Sequence, residues 1–399
     1  MLIGIVGKAN VGKSTFFKAA TLAEAEIANY PFATIKPNSA VGFVRIKCVE
    51  EEFKVKCNPR EGYCLGHERF VPVMLLDVAG LVPDAHKGKG MGNQFLNDLN
   101  QADALIHVID ASGGTNEKGE PVQAGSYDPA NDVRFLEVEL DMWYLGILKK
   151  GWEKFTKQAV LEKKEAHKAI AKQLSGLGAT ESMVDMLIKK LGLDASDASK
   201  WSEQQLMQFA GELRKKTKPM LIAANKADTR QGGENIQRLK EIFYEYTIIP
   251  CSAESELALK EAAKKGLIRY IPGDSSFEIM EEGKMNDGQL RALSFIRENV
   301  LGKFGNTGVQ SCINRAVLEI LGRIAVFPGG VSKLADQYGN ILPDCFLLPP
   351  GSTALDFAYA VHTDLGKKFI RAINVRTKMP VGKEHRLEHR DIIEIVADR

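Results

Sequence analysis

The chain has 399 residues, too many for one compact domain, so two or three domains are expected. At 44% hydrophobic and 26% charged it has the composition of a soluble globular protein, and a formal net charge of +2 excludes a whole-molecule electrostatic case for nucleic acid. No segment reaches the roughly 18 apolar residues that cross a bilayer, and the start MLIGIVGKANVGKS lacks a charged leader and a cleavage signal, so a cytoplasmic protein without a membrane partner is expected.

In chain order, LIGIV is a short apolar, β-branched run and reads as a buried strand. It ends in Gly7-Lys8-Ala9-Asn10-Val11-Gly12-Lys13-Ser14, the pattern G-x-x-x-x-G-K-[ST], followed by Thr15 and a stretch with helical apolar spacing. Between a strand and a helix this loop can cradle phosphates with its backbone N–H groups, and the helix N-terminus adds a favourable dipole. Lys13 is placed to bridge β- and γ-phosphates, and the Ser14 hydroxyl to ligate Mg²⁺. In YPFATIKPNSA, Thr34 is a candidate for Mg²⁺ and the γ-phosphate.

CVEEEFKVKCNPREGYCLGH gathers Cys48, Cys57, Cys64 and His67. Cys64-x-x-His67 could bind zinc, but the other gaps are irregular and no second tight pair exists. Ordinary thiols in a β-hairpin and a Cys48–Cys64 disulfide are the alternatives.

FVPVMLLDVAGL is strand-like and ends in Asp77-Val78-Ala79-Gly80, with Asp77 expected to hold Mg²⁺ through water and the Gly80 N–H to bond the γ-phosphate. HKGKGMGNQF then reads as a mobile loop. The strand ADALIHVIDAS follows. KPMLIAANKADT is a further buried strand, ending in Asn225-Lys226-Ala227-Asp228. The Asp228 carboxylate can accept two hydrogen bonds from guanine N1–H and N2–H₂, which adenine does not offer, and the Lys226 stem can cover the base. YTIIPCSAESE gives a last strand and then Ser252-Ala253-Glu254, where a backbone N–H can reach guanine O6. Each motif falls at a strand's carboxyl end or the adjoining loop, which is the ligand crevice of an open parallel sheet. GTP and GDP are the ligands this order predicts.

The motifs divide the chain into a nucleotide-binding domain over 1–132 and 217–285, a helical insert over 133–216, a helical linker over 286–322 and a small α+β unit over 323–398. The insert reads as an antiparallel helical arm. Its segment Lys149–Lys172 carries eight lysines and three glutamates, either a solvated helix face or a finger for RNA phosphates. Trp152, Phe155 and Trp201 read as packing residues. In the tail, Thr353 and Asp356 have capping-box spacing, and IRAINV, HRLEHRD and IIEIVA read as strands.

GKANVGKST, YPFATIKPN, LLDVAGLV with KGKGMGNQFL, and the tail PPGSTALDFAYAVHTDLGKKF make the chain resemble the Obg-like translation-factor GTPases, within them the YchF-like branch. The resemblance implies an α/β P-loop GTPase domain with a parallel-type sheet, an inserted helical arm and a C-terminal β-grasp TGS domain. It also implies a slow GTPase switch whose partner is the ribosome or structured RNA, with no DNA specificity. Typical YchF-like members lack Asn-Lys-x-Asp and prefer ATP, whereas here Asn225, Lys226 and Asp228 are intact. Leu81 fits the family's hydrophobic residue in place of a catalytic glutamine. Lys13, Thr34, Gly80 and Asn10 are then the catalytic candidates, Asn10 either helping to hold a K⁺ ion beside the phosphates or merely capping the loop. Some members place a histidine before the arm; the matching place here is near Val122, and His86 and His107 read as structural.

Overall fold

The computed structural model describes residues 1–22, 38–78, 98–161, 166–336 and 338–398. Thr34, Gly80, Leu81 and His86 lie outside the described residues. The chain forms two compact units, Met1–Ser14 with Leu76–Cys251, and Thr15–Leu75 with Ser252–Arg399.

In chain order the first half comprises β1 (Leu2–Val6), α1 (Lys13–Thr21), β2 (Ser39–Lys47), β3 (Tyr63–Leu65), β4 (Glu68–Asp77) and β5 (Ala104–Asp110). Five helices follow: α2 (Ala130–Lys149), α3 (Trp152–Leu161), α4 (Ala166–Gln173), α5 (Glu181–Lys190) and α6 (Glu203–Thr217). Then come β6 (Met220–Asn225), α7 (Arg230–Ile242), β7 (Ile248–Pro250) and α8 (Ala253–Lys264).

In the first unit β1, β5, β6 and β7 lie side by side in that order, all parallel. Every residue of β5 and β6 is buried. Parallel strands covered on both faces need continuous apolar runs, which is why these strands show no alternation. Where the chain leaves β4, the Val78 N–H donates to the Ile5 carbonyl at 3.1 Å, which aligns the Asp77 end with β1. Leu136 and Leu140 of α2 pack with Val6, Leu105 and Met220 against the sheet.

The five helices have a core of their own. Tyr144, Leu148, Trp152, Ile170, Val184, Leu187, Phe209 and Leu213 are buried in it, with α2 packed along α6 and α4 against α5. Trp152 lies 5.6 Å from Trp201, and Trp201 lies 5.5 Å from Phe209, so these rings are packing residues. Ser202 opens α6 with a capping box to Gln205.

In the second unit β2 and β3 flank β4, with Tyr63 stacked on Phe70 at 4.5 Å. After α8, the strands β8 (Ile268–Arg269) and β9 (Glu278–Ile279) form a short hairpin. The helices α9 (Asp287–Ile296) and α10 (Val309–Asn314) each run on into a π-helical turn, at Arg297–Leu301 and Arg315–Ile320. The tail holds β10 (Ile324–Pro328), β11 (Phe346–Leu348), α11 (Ala354–Val361), α12 (Thr363–Lys367), β12 (Phe369–Asn374), β13 (Met379–Val381) and β14 (Asp391–Ala397). Its sheet order is β11-β10-β14-β12-β13, and the Thr353–Asp356 capping box is formed in both directions.

HRLEHRD departs from expectation. Arg386 makes an isolated bridge to Thr353, Arg390 has φ of 70°, and the strand next to β12 is Met379–Val381 instead. The segment has charged or histidine side chains at six of its seven positions; its one apolar residue, Leu387, is buried in the tail core without the alternation of a strand, and only its last residue, Asp391, enters a strand, as the start of β14.

Candidate nucleotide site

The phosphate loop leaves β1 at Gly7 and enters α1 at Lys13. Two of its residues must be glycine. Gly7 has φ of 156° and a Cβ there would sit 2.4 Å from the Val108 carbonyl oxygen; Gly12 has φ of 88° and a Cβ would sit 2.2 Å from the Asn225 amide nitrogen. Val11 is fully buried and anchors the loop, while Ala9, Asn10 and Ser14 are exposed and Thr15 is half-buried.

The Lys13 ammonium pairs with the Asp77 carboxylate, so the cation expected at the phosphates and the anion expected at Mg²⁺ face each other. The Lys8 side chain is committed within the fold. Its side chain is buried, donating to Asp132 Oδ1 at 2.8 Å and to the Thr115 carbonyl at 3.0 Å, and its Nζ lies 4.0 Å from the centre of the Tyr127 ring. What Lys8 can offer a phosphate is therefore its backbone N–H. Tyr127 also donates to Asp132 Oδ1 at 3.0 Å. Burial pushes the Asp132 carboxyl up, and its bond to Lys8 offsets only part of that.

Asn225 and Lys226 close onto the same loop. Asn225 Nδ2 donates to the Val11 carbonyl at 2.9 Å. Lys226, at φ of 59°, sends Nζ to Asp110 Oδ2 at 2.7 Å and to the Asn10 carbonyl at 3.2 Å. The Ala227 N–H donates to the Cys251 carbonyl and Cys251 N–H to the Ala224 carbonyl, which holds the turn against the end of β7. Thr229 caps α7 and donates to the Lys226 carbonyl at 2.8 Å. Between these clamped residues Asp228 is half-buried, and its carboxylate has no hydrogen-bond partner among the described residues.

In the second unit, Ser252 and Ala253 are buried at the start of α8 and Glu254 is exposed. The Ser252 N–H donates to the Thr307 carbonyl at 2.9 Å, and its hydroxyl pairs with Ser255 at 2.8 Å.

Sequence reasoning missed Asp110 and the loop after β5. Asp110 is 1% exposed; its Oδ1 accepts from the Ser112 hydroxyl at 2.5 Å while Oδ2 accepts from Lys226. Its signal was available: an aspartate ending a strand that is apolar but for His107, between two motif strands. Asn10 Nδ2 donates to the Gly119 carbonyl at 2.8 Å, so the loop after β5 is fastened to the phosphate loop twice, through Asn10 and through Lys8. Val122 is exposed on that loop. His107 is 1% exposed, and burial pushes its pKa down to about 3, so it is neutral and structural. Asp77 and Ser14 offer hard oxygen donors, the chemistry that suits Mg²⁺.

Three family models match in chain order: a 50S ribosome-binding GTPase over residues 2–133, an Obg-like GTPase YGR210-like, G4 motif-containing domain over 223–330, and a TGS domain over 337–397. A GTP-binding protein of Methanocaldococcus jannaschii is 50% identical over 397 residues, covering 99% of each chain. A protein of Haemophilus influenzae named ribosome-binding ATPase YchF is 29% identical over 376 residues, covering 92% of this chain and 86% of its own. The crystal structure of a GTP-binding protein from Pyrococcus horikoshii OT3 superposes with a TM-score of 0.77 at 42% identity, covering 100% of both chains. The phosphate loop, the Asn225–Asp228 turn clamped on it and the TGS tail thus stand in one chain with full-length relatives, and the chain belongs to the Obg-like GTPases, in the YchF-related branch that ends in a TGS domain.

Proposed function

We propose that the chain binds GTP and GDP, hydrolyses GTP slowly, and uses the nucleotide to switch its binding to the ribosome or structured RNA. The base assignment rests on one observation. Asn225 and Lys226 are both committed to the phosphate loop, while the Asp228 carboxylate two residues beyond Lys226 is left with its acceptor positions for guanine N1–H and N2–H₂.

Lys13 neutralises phosphate charge, Gly7 to Ser14 supply backbone donors, and Ser14 and Asp77 would hold Mg²⁺, with Thr34 as a further proposed ligand. When bound, the metal neutralises charge on the β- and γ-phosphate oxygens. Leu81 has no group that could orient water, so catalysis leans on Lys13, on the Gly80 N–H and on a cation held by Asn10. In this proposal the nucleotide domain is 1–132 with 217–285, and the helical insert 133–216, the linker 286–322 and the tail 323–398 carry the readout. The ribosome as partner is supported by the naming of the Haemophilus influenzae relative, whose name also supports the competing ATPase reading.

Competitive titration of GTP, GDP, ATP and ADP on the purified protein separates the two. GTP and GDP should outcompete the adenine nucleotides, and Asp228→Ala should weaken guanine binding by roughly 10- to 100-fold, the loss of a hydrogen-bonded charged group. Equal affinity for ATP in the unaltered protein would mean that Asp228 does not read the base.

A further inference from the structure

The structure places Glu50 among the three thiols of the β2–β4 region. Cys48, Glu50 and Cys57 are buried and Cys64 is half-buried, and one ligand atom from each lies within 4.8 Å of all the others. We propose that Cys48, Cys57, Cys64 and Glu50 form a structural zinc site.

Two of the ligand pairs stand at the spacing of one tetrahedral ion, and all four ligand atoms lie within 4.8 Å of one another. With zinc about 2.3 Å from sulfur and about 2.1 Å from oxygen, tetrahedral geometry sets sulfur atoms about 3.8 Å apart and sulfur and oxygen about 3.6 Å apart. Cys48 Sγ and Cys57 Sγ are 3.8 Å apart, and Cys64 Sγ and Glu50 Oε1 are 3.6 Å apart. A disulfide needs sulfurs about 2.05 Å apart, and none of the six cysteines is in a disulfide, so the Cys48–Cys64 bridge is absent. Three thiolates and a carboxylate favour a soft or borderline divalent ion, of which zinc takes this number of ligands with least geometric demand.

The second layer is also in place. His67 Nδ1 lies 2.7 Å from Glu50 Oε1, and the Cys57 N–H donates to Glu50 Oε2 at 2.7 Å, so the carboxylate is fixed from two sides. The Cys48 N–H donates to the His67 carbonyl at 2.8 Å, which closes the start of the loop onto the turn between β3 and β4. His67, the candidate ligand in the sequence, thus orients the ligand that sequence spacing did not reveal.

The ion would hold a loop that carries other contacts of the second unit. The Asn58 N–H donates to the Ile341 carbonyl at 2.8 Å and the Arg60 N–H to the Pro343 carbonyl at 3.0 Å, while Arg60 pairs with Asp344. Zinc here fastens the segment 48–64 and, through it, the strap 340–344 that leads into β11.

The test uses the full-length protein, reduced, stripped with chelator and then reloaded. Reloading with zinc and desalting should leave one zinc per chain. Reloading with Co²⁺ should produce thiolate-to-cobalt charge-transfer bands and the intense visible bands of a tetrahedral site. Cys57→Ser and Cys64→Ser should each retain more than about tenfold less zinc, and His67→Ala should weaken binding by about 10- to 100-fold. Cys312→Ala, outside the cluster, should load like the unaltered chain. The cobalt spectrum needs no variant to fold, so its absence in the unaltered protein overturns the proposal, as does zinc retention undiminished by both cysteine changes.

Discussion

Asn10 has φ of 61°, a left-handed conformation that asparagine tolerates better than most residues, and its amide N–H bonds the Gly119 carbonyl. That contact satisfies a loop-capping role, yet it engages only the nitrogen; a K⁺ ion would take the amide oxygen. Asn10→Gly removes both side-chain contacts while glycine keeps the backbone angle unstrained, so the K⁺ dependence of turnover tells the two roles apart. If K⁺ assists, the unaltered protein hydrolyses GTP on the order of tenfold faster in KCl than in NaCl, and the variant loses that ratio. Equal turnover in the two salts leaves Asn10 as a cap. Residues of this kind show where sequence reading stops. Lys13, Asn225 and Asp228 could be singled out as candidates because a motif fixes their neighbours. Asp110, Asp132, Tyr127 and Glu50 belong to no motif, and only folding brings them to the groups they hold. Lys8 shows the converse: it lies inside a motif, but its side chain serves the loop after β5 rather than the ligand.

At the scale of elements, β1, β5 and β6 were legible because strands covered on both faces must be apolar without a break, and the Thr353 cap was legible because a capping box has a fixed spacing. The π-helical turns at 297–301 and 315–320 were not, since one extra residue per turn leaves no separate mark in apolar spacing. The insert also divides further than its pattern suggests: Gly151, at φ of 76°, follows the end of α2, and α3 begins at once. Where α6 meets α2, Arg214 is 1% exposed and donates to Asp141 Oδ1 at 2.8 Å and to the Tyr246 hydroxyl at 3.1 Å, with Glu137 at 3.6 Å. Tyr246 in turn donates to Glu137 at 2.6 Å. The network ties the base of the arm to the segment before β7. Arg214→Met keeps the volume but leaves two carboxylates without their cation. Because both are partly exposed, it should cost roughly 3 kcal/mol in denaturant unfolding, near the lower end for breaking a buried pair. A loss under about 1 kcal/mol would show that solvent already screens the network.

At the scale of the whole molecule, a formal charge of +2 cannot draw the protein to RNA by itself, so binding has to come from a local surface. The arm offers one. Lys150, Lys154 and Lys157 are exposed around the start of α3, within the lysine-rich stretch from Lys149 to Lys172. If these three each neutralise a phosphate, affinity for ribosomes should fall roughly 40-fold between 50 and 200 mM salt through counterion release. Changing all three to glutamate should then abolish pelleting at low salt and flatten the salt dependence, with nucleotide affinity unchanged because none of the three touches the phosphate loop. Pelleting that survives the triple change would make the lysines a solvated helix face and shift the contact to another surface. The same sedimentation, run with GDP and then with a non-hydrolysable GTP analogue, decides whether the protein is a switch. A switch must bind its partner with different affinity in the two nucleotide states, since a ligand shifts an equilibrium only by its differential affinity. Co-sedimentation several-fold stronger with the GTP analogue is the expected result. Equal pelleting in both states, with hydrolysis intact, would identify an adaptor whose GTP turnover does not control where it binds.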